Sequence, residues 1–298
     1  MEPPQPSRTA LAAAAHRANH QLVERGAIFS DPLAVRILGP QPEELLSKLS
    51  ANPAARQLRL FIAVRARFGE DSLARALTEG VRQVVVLGAG LDTYAYRQPA
   101  MEGLRVFEVD LPATQAWKKE RLAAASIPVP ESTRFVSLDF TRGSLTEGLA
   151  AAGHDPRQRT FFTWLGVVPY LEESSVRATL RDIAGLPGGC DVVFDYCNPP
   201  EAGADDSQGA DHKALSARVA KLGEPFRCYL DTEPLLVFLR SLGYARVEDL
   251  GPAGIQARYF PQYPGPSRDR GAHVIHTATT GEPIKREGRT KWRYRSHE

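Results

Sequence analysis

The chain has 298 residues, 43% hydrophobic and 24% charged, an ordinary globular balance with enough apolar material for one sizeable core. Its formal net charge of +2 is too near neutral to imply nucleic-acid binding or strong attraction to a membrane surface. Cys190, Cys197 and Cys228 are the three cysteines; they form neither a C-x-x-C pair nor an even framework, so a reduced cytoplasmic setting is expected, with packing as their role.

The first residues, MEPPQPSRTALAAAAHRANH, lack a basic segment followed by a long apolar core, so no secretory signal is expected. No window approaches the ~18 consecutive apolar residues of a membrane helix. Residues 1–80 read as helical. In DPLAVRIL, Asp31 is an N-cap candidate with Pro32 at the first helical position. Further on, Leu58, Phe61, Ile62, Ala66, Leu73 and Leu77 recur at helical spacing.

From Val81 the texture changes. VRQVVVL, LRVFEV, TRFVSL, RTFFTWLGVV and CDVVFDY alternate with ATQAWKKERLAAA, TEGLAAAG and EESSVRATLRDIAGL. Strand alternating with helix predicts a parallel sheet with helices on both faces. A polar insertion follows the fifth strand and turns helical around Leu215 to Leu222, at the edge where such sheets bind ligands. Then come a helix, EPLLVFLRSLG, and two late strands, ARVEDL and AHVIHTAT; the basic C-terminal stretch reads as a solvated tail.

VVVLGAGLDTYAYR, Val84 to Arg97, places Gly88 and Gly90 directly after an apolar strand, with Asp92 close behind. A dinucleotide loop would seat a diphosphate there, but Thr93 stands at the third glycine position and Asp92 would repel the phosphates. S-adenosylmethionine has no phosphate and carries an ammonium and a sulfonium, so a nearby carboxylate suits it, while the glycines let backbone approach closely. A glycine turn that only joins strand to helix is the third possibility. Asp110 ends the second strand, twenty residues after Gly90, where an acid accepts from ribose hydroxyls in either cofactor class; helix capping is its alternative role. Glu108 lies deeper on the same strand face. Asp139, flanked by Leu138 and Phe140, ends the third strand and suits an adenine, the carboxylate taking the exocyclic amine.

Taken together, RANHQLVERGAIFSDPLA, FIAVRARFGEDSL, VVVLGAGLDTYAYR, FEVDLPATQAWKKERL, FVSLDF, WLGVVPYL and GEPFRCYLDTEPLLVFLRSLGY resemble the S-adenosylmethionine-dependent methyltransferases of the leucine carboxyl methyltransferase family, including its bacterial branch. The resemblance runs from about Arg17 to Tyr244. It implies a seven-stranded, mostly parallel, Rossmann-like α/β class I methyltransferase sheet in a single domain. That domain would comprise an N-terminal helical part (1–80), cofactor-binding strands (81–198), a substrate lid (199–232), a C-terminal helix and strands (233–280) and a tail (281–298). It also implies that Arg65, with Arg67 as the alternative, holds the methionyl carboxylate of the cofactor through paired N–H donors. Gly88 and Gly90 would approach the methionine, Asp110 the ribose and Asp139 the adenine, while Asp92 would bind the ammonium or brace the loop. One departure stands out: Leu165 occupies the place where relatives commonly carry a glutamate facing the cofactor's amino-acid end.

The expected chemistry is methyl transfer to a carboxylate or hydroxyl of a small molecule or a protein C-terminal carboxyl. Alignment and electrostatics dominate such a displacement, and a carboxylate needs no general base. Phe226 and Tyr229, after the polar insertion, are candidate acceptor-lid residues; Trp164 reads as packing. His212 is a candidate base for a hydroxyl acceptor. His273 and His276 are three apart on a strand, face opposite ways and form no metal pair. The rival functions are an NAD-dependent oxidoreductase and a non-catalytic S-adenosylmethionine-binding regulator.

Overall fold

The five apolar runs become β1 (Gln83–Leu87), β2 (Arg105–Asp110), β3 (Thr133–Ser137), β4 (Thr160–Trp164) and β5 (Cys190–Cys197), and the two late ones β6 (Arg246–Leu250) and β7 (Ala272–Ala278). They form one sheet in the order β3-β2-β1-β4-β5-β7-β6. The first five are parallel, and β7 runs antiparallel between β5 and β6. This computed structural model describes residues 7–53, 55–98, 101–139, 143–200, 216–217, 219–220, 223–263 and 269–279. The 281–298 tail and most of the polar insertion therefore lie outside the described residues, as does His212.

The helices are α1 (Arg8–Val23), α2 (Glu43–Ser50), α3 (Ala55–Thr78), α4 (Tyr94–Arg97), α5 (Pro112–Ala124), α6 (Leu145–Ala151), α7 (Glu173–Ala184), α8 (Thr232–Ser241) and α9 (Pro252–Tyr259). Side chains alternate across β1, so both faces are covered and its run is apolar throughout. Val85 and Leu87 pack with Leu149, Leu180 and Leu239 of α6, α7 and α8. Val84 and Val86 face Val64, Phe68 and Leu73 of α3 and Ile255 of α9. A third cluster seats α1, through Ala14, Ala15 and Ala18, against Ile37, Leu38, Leu91 and Leu122. On α3 the positions 62, 65, 69, 72 and 76 follow a 3-4-3-4 rhythm, which turns Ile62, Arg65, Gly69, Ser72 and Ala76 to one side of the helix.

Two local expectations are corrected. DPLAVRIL does not form an α-helix: residues 32–35 are turns and a 3-10 helix covers Arg36–Leu38. Gly39 follows with φ +85°, and Pro40 and Pro42 prevent continuation. Asp31 does cap locally, its Oδ1 accepting from the Leu33 N–H at 3.0 Å, but Oδ2 accepts from Arg17 and Thr93. The segment between the two late strands also holds α9, begun by Pro252 at its first turn and not anticipated from sequence.

His20 and His154 are buried, and burial holds both below the ordinary imidazole value of 6.5. An imidazole kept neutral in the fold protonates more readily once unfolded, so its contribution is present above pH 6.5 and is lost as pH falls below it. Thermal melts at pH 7.5 and 5.5 are expected to show a Tm lower by a few degrees at the acid pH. His20→Gln and His154→Gln should each flatten that difference. Among the described residues no helix is long and apolar enough to cross a membrane.

Candidate active site

The glycine loop is built from its own backbone outward. The Gly88 and Ala89 N–H groups both donate to the Val109 carbonyl, at 2.8 and 3.1 Å, which turns the chain at the end of β1. Gly88 and Gly90 take φ +64° and +42°, a region that favours glycine. A Cβ on Gly88 would lie 2.3 Å from the Val167 side chain, and one on Gly90 would lie 3.0 Å from Ala10. Asp92 braces the turn: its N–H donates to Ala89 at 2.7 Å and its Oδ1 accepts from the Tyr94 N–H at 2.8 Å.

Beside the loop, Asp110 accepts from the Gly90 N–H at 2.6 Å and from the Leu111 N–H at 2.7 Å. Burial pushes its carboxyl above the ordinary range, and the two backbone donors partly offset this. The helix cap belongs to Leu111, so Asp110 faces the loop and does not cap α5. Leu138 joins the same edge, its N–H donating to the Asp110 carbonyl at 2.8 Å; Leu138 and Asp139 are half-buried. Phe140 lies outside the described residues.

The arginine ambiguity resolves on helical phase. Arg65 donates from Nη1 to Asp195 Oδ2 at 2.8 Å, and its guanidinium lies against Gly166 after β4. Arg67 pairs instead with Asp71 one turn along α3, partly exposed. Leu165 turns toward α3, its methyl 3.2 Å from where a Gly69 Cβ would stand. Asp195 was not anticipated; its signal is an acid inside the otherwise apolar VVFDY.

Over this edge runs a strap. The Arg227 and Cys228 N–H groups donate to the Pro169 carbonyl at 2.7 and 3.2 Å, and the Leu230 N–H donates to Cys197 at 2.9 Å. Glu224 collects the Ser7 hydroxyl at 3.0 Å, the Arg8 N–H at 2.8 Å and the Thr9 hydroxyl. The start of α1, also unanticipated, is thereby tied over Gly90. Phe226 sits 5.3 Å from the Tyr170 ring and 6.3 Å from Tyr229. Trp164 is wholly buried, as expected of packing. Burial pushes the Cys197 thiol to about 12 and Cys228 to about 11, so both stay protonated at neutral pH and neither offers a thiolate nucleophile.

Two buried networks support the loop from beneath. Lys118 pairs with Glu108 at 2.8 Å and lies 3.5 Å from the Ala89 carbonyl, while the Tyr96 hydroxyl donates to Glu108 at 2.8 Å. Asp31 joins Arg17 at 2.8 Å and Thr93 at 2.7 Å, Arg17 also donates to the Leu91 carbonyl at 2.6 Å, and Arg97 reaches Asp31 and Glu70. His273 serves Asp249 and Asn198, and His276 serves Asp191, so the two histidines do diverge. No group of metal-binding side chains occurs among the described residues.

These residues suit a zwitterionic nucleoside better than a dinucleotide. The helix after the glycines, α4, has four residues, too short to present the dipole a diphosphate uses. The loop is bordered by carboxylates, two left-handed glycines admit close approach, and one guanidinium can take a carboxylate. The strand order, with β7 inserted antiparallel, is that of the class I S-adenosylmethionine-dependent methyltransferases. The sequence profile described as "Leucine carboxyl methyltransferase" matches residues 10–184, and the chain belongs to that family. It is an S-adenosylmethionine-dependent methyltransferase.

Similar proteins include YktD of Bacillus subtilis (strain 168), provisionally named an S-adenosyl-L-methionine-dependent methyltransferase. It is 32% identical over 247 residues, spanning 80% of this chain and 77% of YktD. A protein of Saccharopolyspora erythraea with the same provisional name is 34% identical over 182 residues, spanning 59% of this chain and 63% of the relative. A DUF574 family protein of Streptomyces avermitilis shares the fold at a TM-score of 0.51 and 14% identity, over 90% of this chain and 97% of that one.

Proposed function

We propose that the chain is an O-methyltransferase acting on a carboxylate or hydroxyl of a small organic acceptor or of a protein C-terminus. The observation that carries this reading is the strap, whose Phe226 and Tyr229 stand with Tyr170 at the carboxyl edge beside the glycine loop. An aromatic wall there suits an organic acceptor and keeps water from it. The family's description, which names a carboxyl group, supports oxygen as the methyl-accepting atom. A carboxylate arrives ionised at neutral pH, so the chain needs only to orient it.

Arg65 is assigned to the methionyl carboxylate of the cofactor, Gly88 and Gly90 to its methionine moiety and Asp110 to the ribose diol. Asp139, with Leu138 and Phe140, is assigned to the adenine, and Asp92 to bracing the loop. S-adenosylmethionine supplies a methyl group on a sulfonium, a leaving group that is already positive. The chain's own work is alignment, exclusion of water and placement of charge.

The test uses the full chain, a methyl-labelled donor and a panel of carboxylic acids, phenols, alcohols and peptides with free C-termini. Label is expected on oxygen, released as methanol by mild alkali from an ester and retained by an ether. Label on nitrogen, sulfur or carbon would overturn the reading.

A further inference from the structure

Asp195 sits on β5 between Phe194 and Tyr196, and its side chain is 4% exposed. Both of its oxygens are engaged. Oδ1 accepts from the Gly166 N–H at 2.5 Å, and Oδ2 accepts from Arg65 Nη1 at 2.8 Å. Gly166 takes φ +74°, and a Cβ there would lie 2.5 Å from Arg65 Nη2, so the turn after β4 is shaped around the guanidinium. The next residue, Val167, is the one that meets Gly88. One carboxylate thus fixes both the arginine and the turn that touches the glycine loop.

The remaining edge of the arginine matters most. Arg65 Nε and Nη2 carry no hydrogen bond among the described residues, although the side chain is only 13% exposed. Nε and Nη2 together form the flat fork that grips a carboxylate with two parallel bonds. Because Nη1 is held by Asp195, the guanidinium cannot rotate without breaking that bond, so the fork keeps one orientation.

We infer that Asp195 is a positioning residue that aims Arg65 at the carboxylate of the cofactor's amino-acid end and so makes binding selective for ligands carrying that end. The inference rests on the assignment of Arg65 to that carboxylate. It also accounts for how β4 ends in Leu165 without loss of charge order, since the negative partner comes from the neighbouring strand.

The experiment compares two ligands by calorimetry: S-adenosylhomocysteine, which has the amino-acid end, and 5′-methylthioadenosine, which lacks it. Asp195→Asn is expected to weaken S-adenosylhomocysteine about 10-fold, the scale of one lost charge-assisted bond, and to leave 5′-methylthioadenosine unchanged. Added to Arg65→Ala, it is expected to cost less than about 2-fold more, because the two residues act as one unit. Should Asp195→Asn fail to fold, Asp195→Glu keeps the charge, shifts it by one methylene and carries the same selective expectation. Equal weakening of both ligands, or wild-type affinity for both, would overturn the inference while leaving the methyltransferase reading intact. Wild-type protein that binds neither ligand would remove both.

Discussion

Arg65→Ala is expected to lower affinity for S-adenosylhomocysteine by about 1–3 kcal/mol, the range for losing a charged hydrogen-bond partner in a sheltered site. A second cost falls on the fold. Asp195 would keep only the Gly166 N–H, and its side chain is almost wholly enclosed. Removing one member of a buried ion pair typically costs 3–5 kcal/mol, because the remaining charge has no compensation. Arg65 retains some exposure, so the lower end of that range applies. Calorimetry and thermal denaturation on the same sample separate the two effects. Arg67→Ala is the control: its partner Asp71 is partly exposed, and cofactor affinity should stay at the wild-type level. Equal loss in the two variants would place the carboxylate partner elsewhere.

Lys118→Met is expected to be the more destabilising change, about 3–5 kcal/mol. Lys118 and Glu108 have side chains 2% and 1% exposed. Burial raises the Glu108 carboxyl, while the Lys118 ammonium and the Tyr96 hydroxyl pull it back. Both partners bind Oε2, and Oε1 has no hydrogen-bond partner. Without Lys118 the carboxylate would have one donor left and would take up a proton, so destabilisation should shrink as pH falls. Glu108→Gln together with Lys118→Met removes both charges and should recover most of the lost Tm, since well-packed neutral replacements of buried pairs are often tolerated. Failure of the double variant to recover would locate the cost in packing alone.

The strands were legible because both faces of β1 to β5 are covered, which writes them as short apolar runs bounded by polar helices. Asp110 was legible for a related reason: a single acid ends the apolar run of β2 at a fixed distance from Gly90. The choice between Arg65 and Arg67 was also written, in the 3-4-3-4 rhythm of Ile62, Arg65, Gly69, Ser72 and Ala76, since residues two apart on a helix point about 200° apart. Asp195 was not legible as a partner. Its pairing with Arg65 spans 130 positions and depends on the register that sets Trp164 beside Phe194. Contact between Glu224 and Ser7 spans 217 positions, and no local periodicity encodes it. Asp31 misled for the opposite reason. Its cap chemistry is real, but the neighbouring Gly39 and prolines end the turn, and tertiary partners claim the second oxygen.

A fragment cut at Val81 would keep all seven strands, both loop glycines and Asp110, and yet would be a poor minimal enzyme. Thr93 and Arg97 would lose Asp31, and the Leu91 carbonyl would lose Arg17. Ala10 would no longer cover Gly90, and Glu224 would face solvent without its three donors. The helical leader is therefore part of the same cooperative unit as the sheet, and the chain is not divisible into a catalytic module and an accessory. Engineering that shortens or grafts this methyltransferase has to carry α1 to α3 along with the strands.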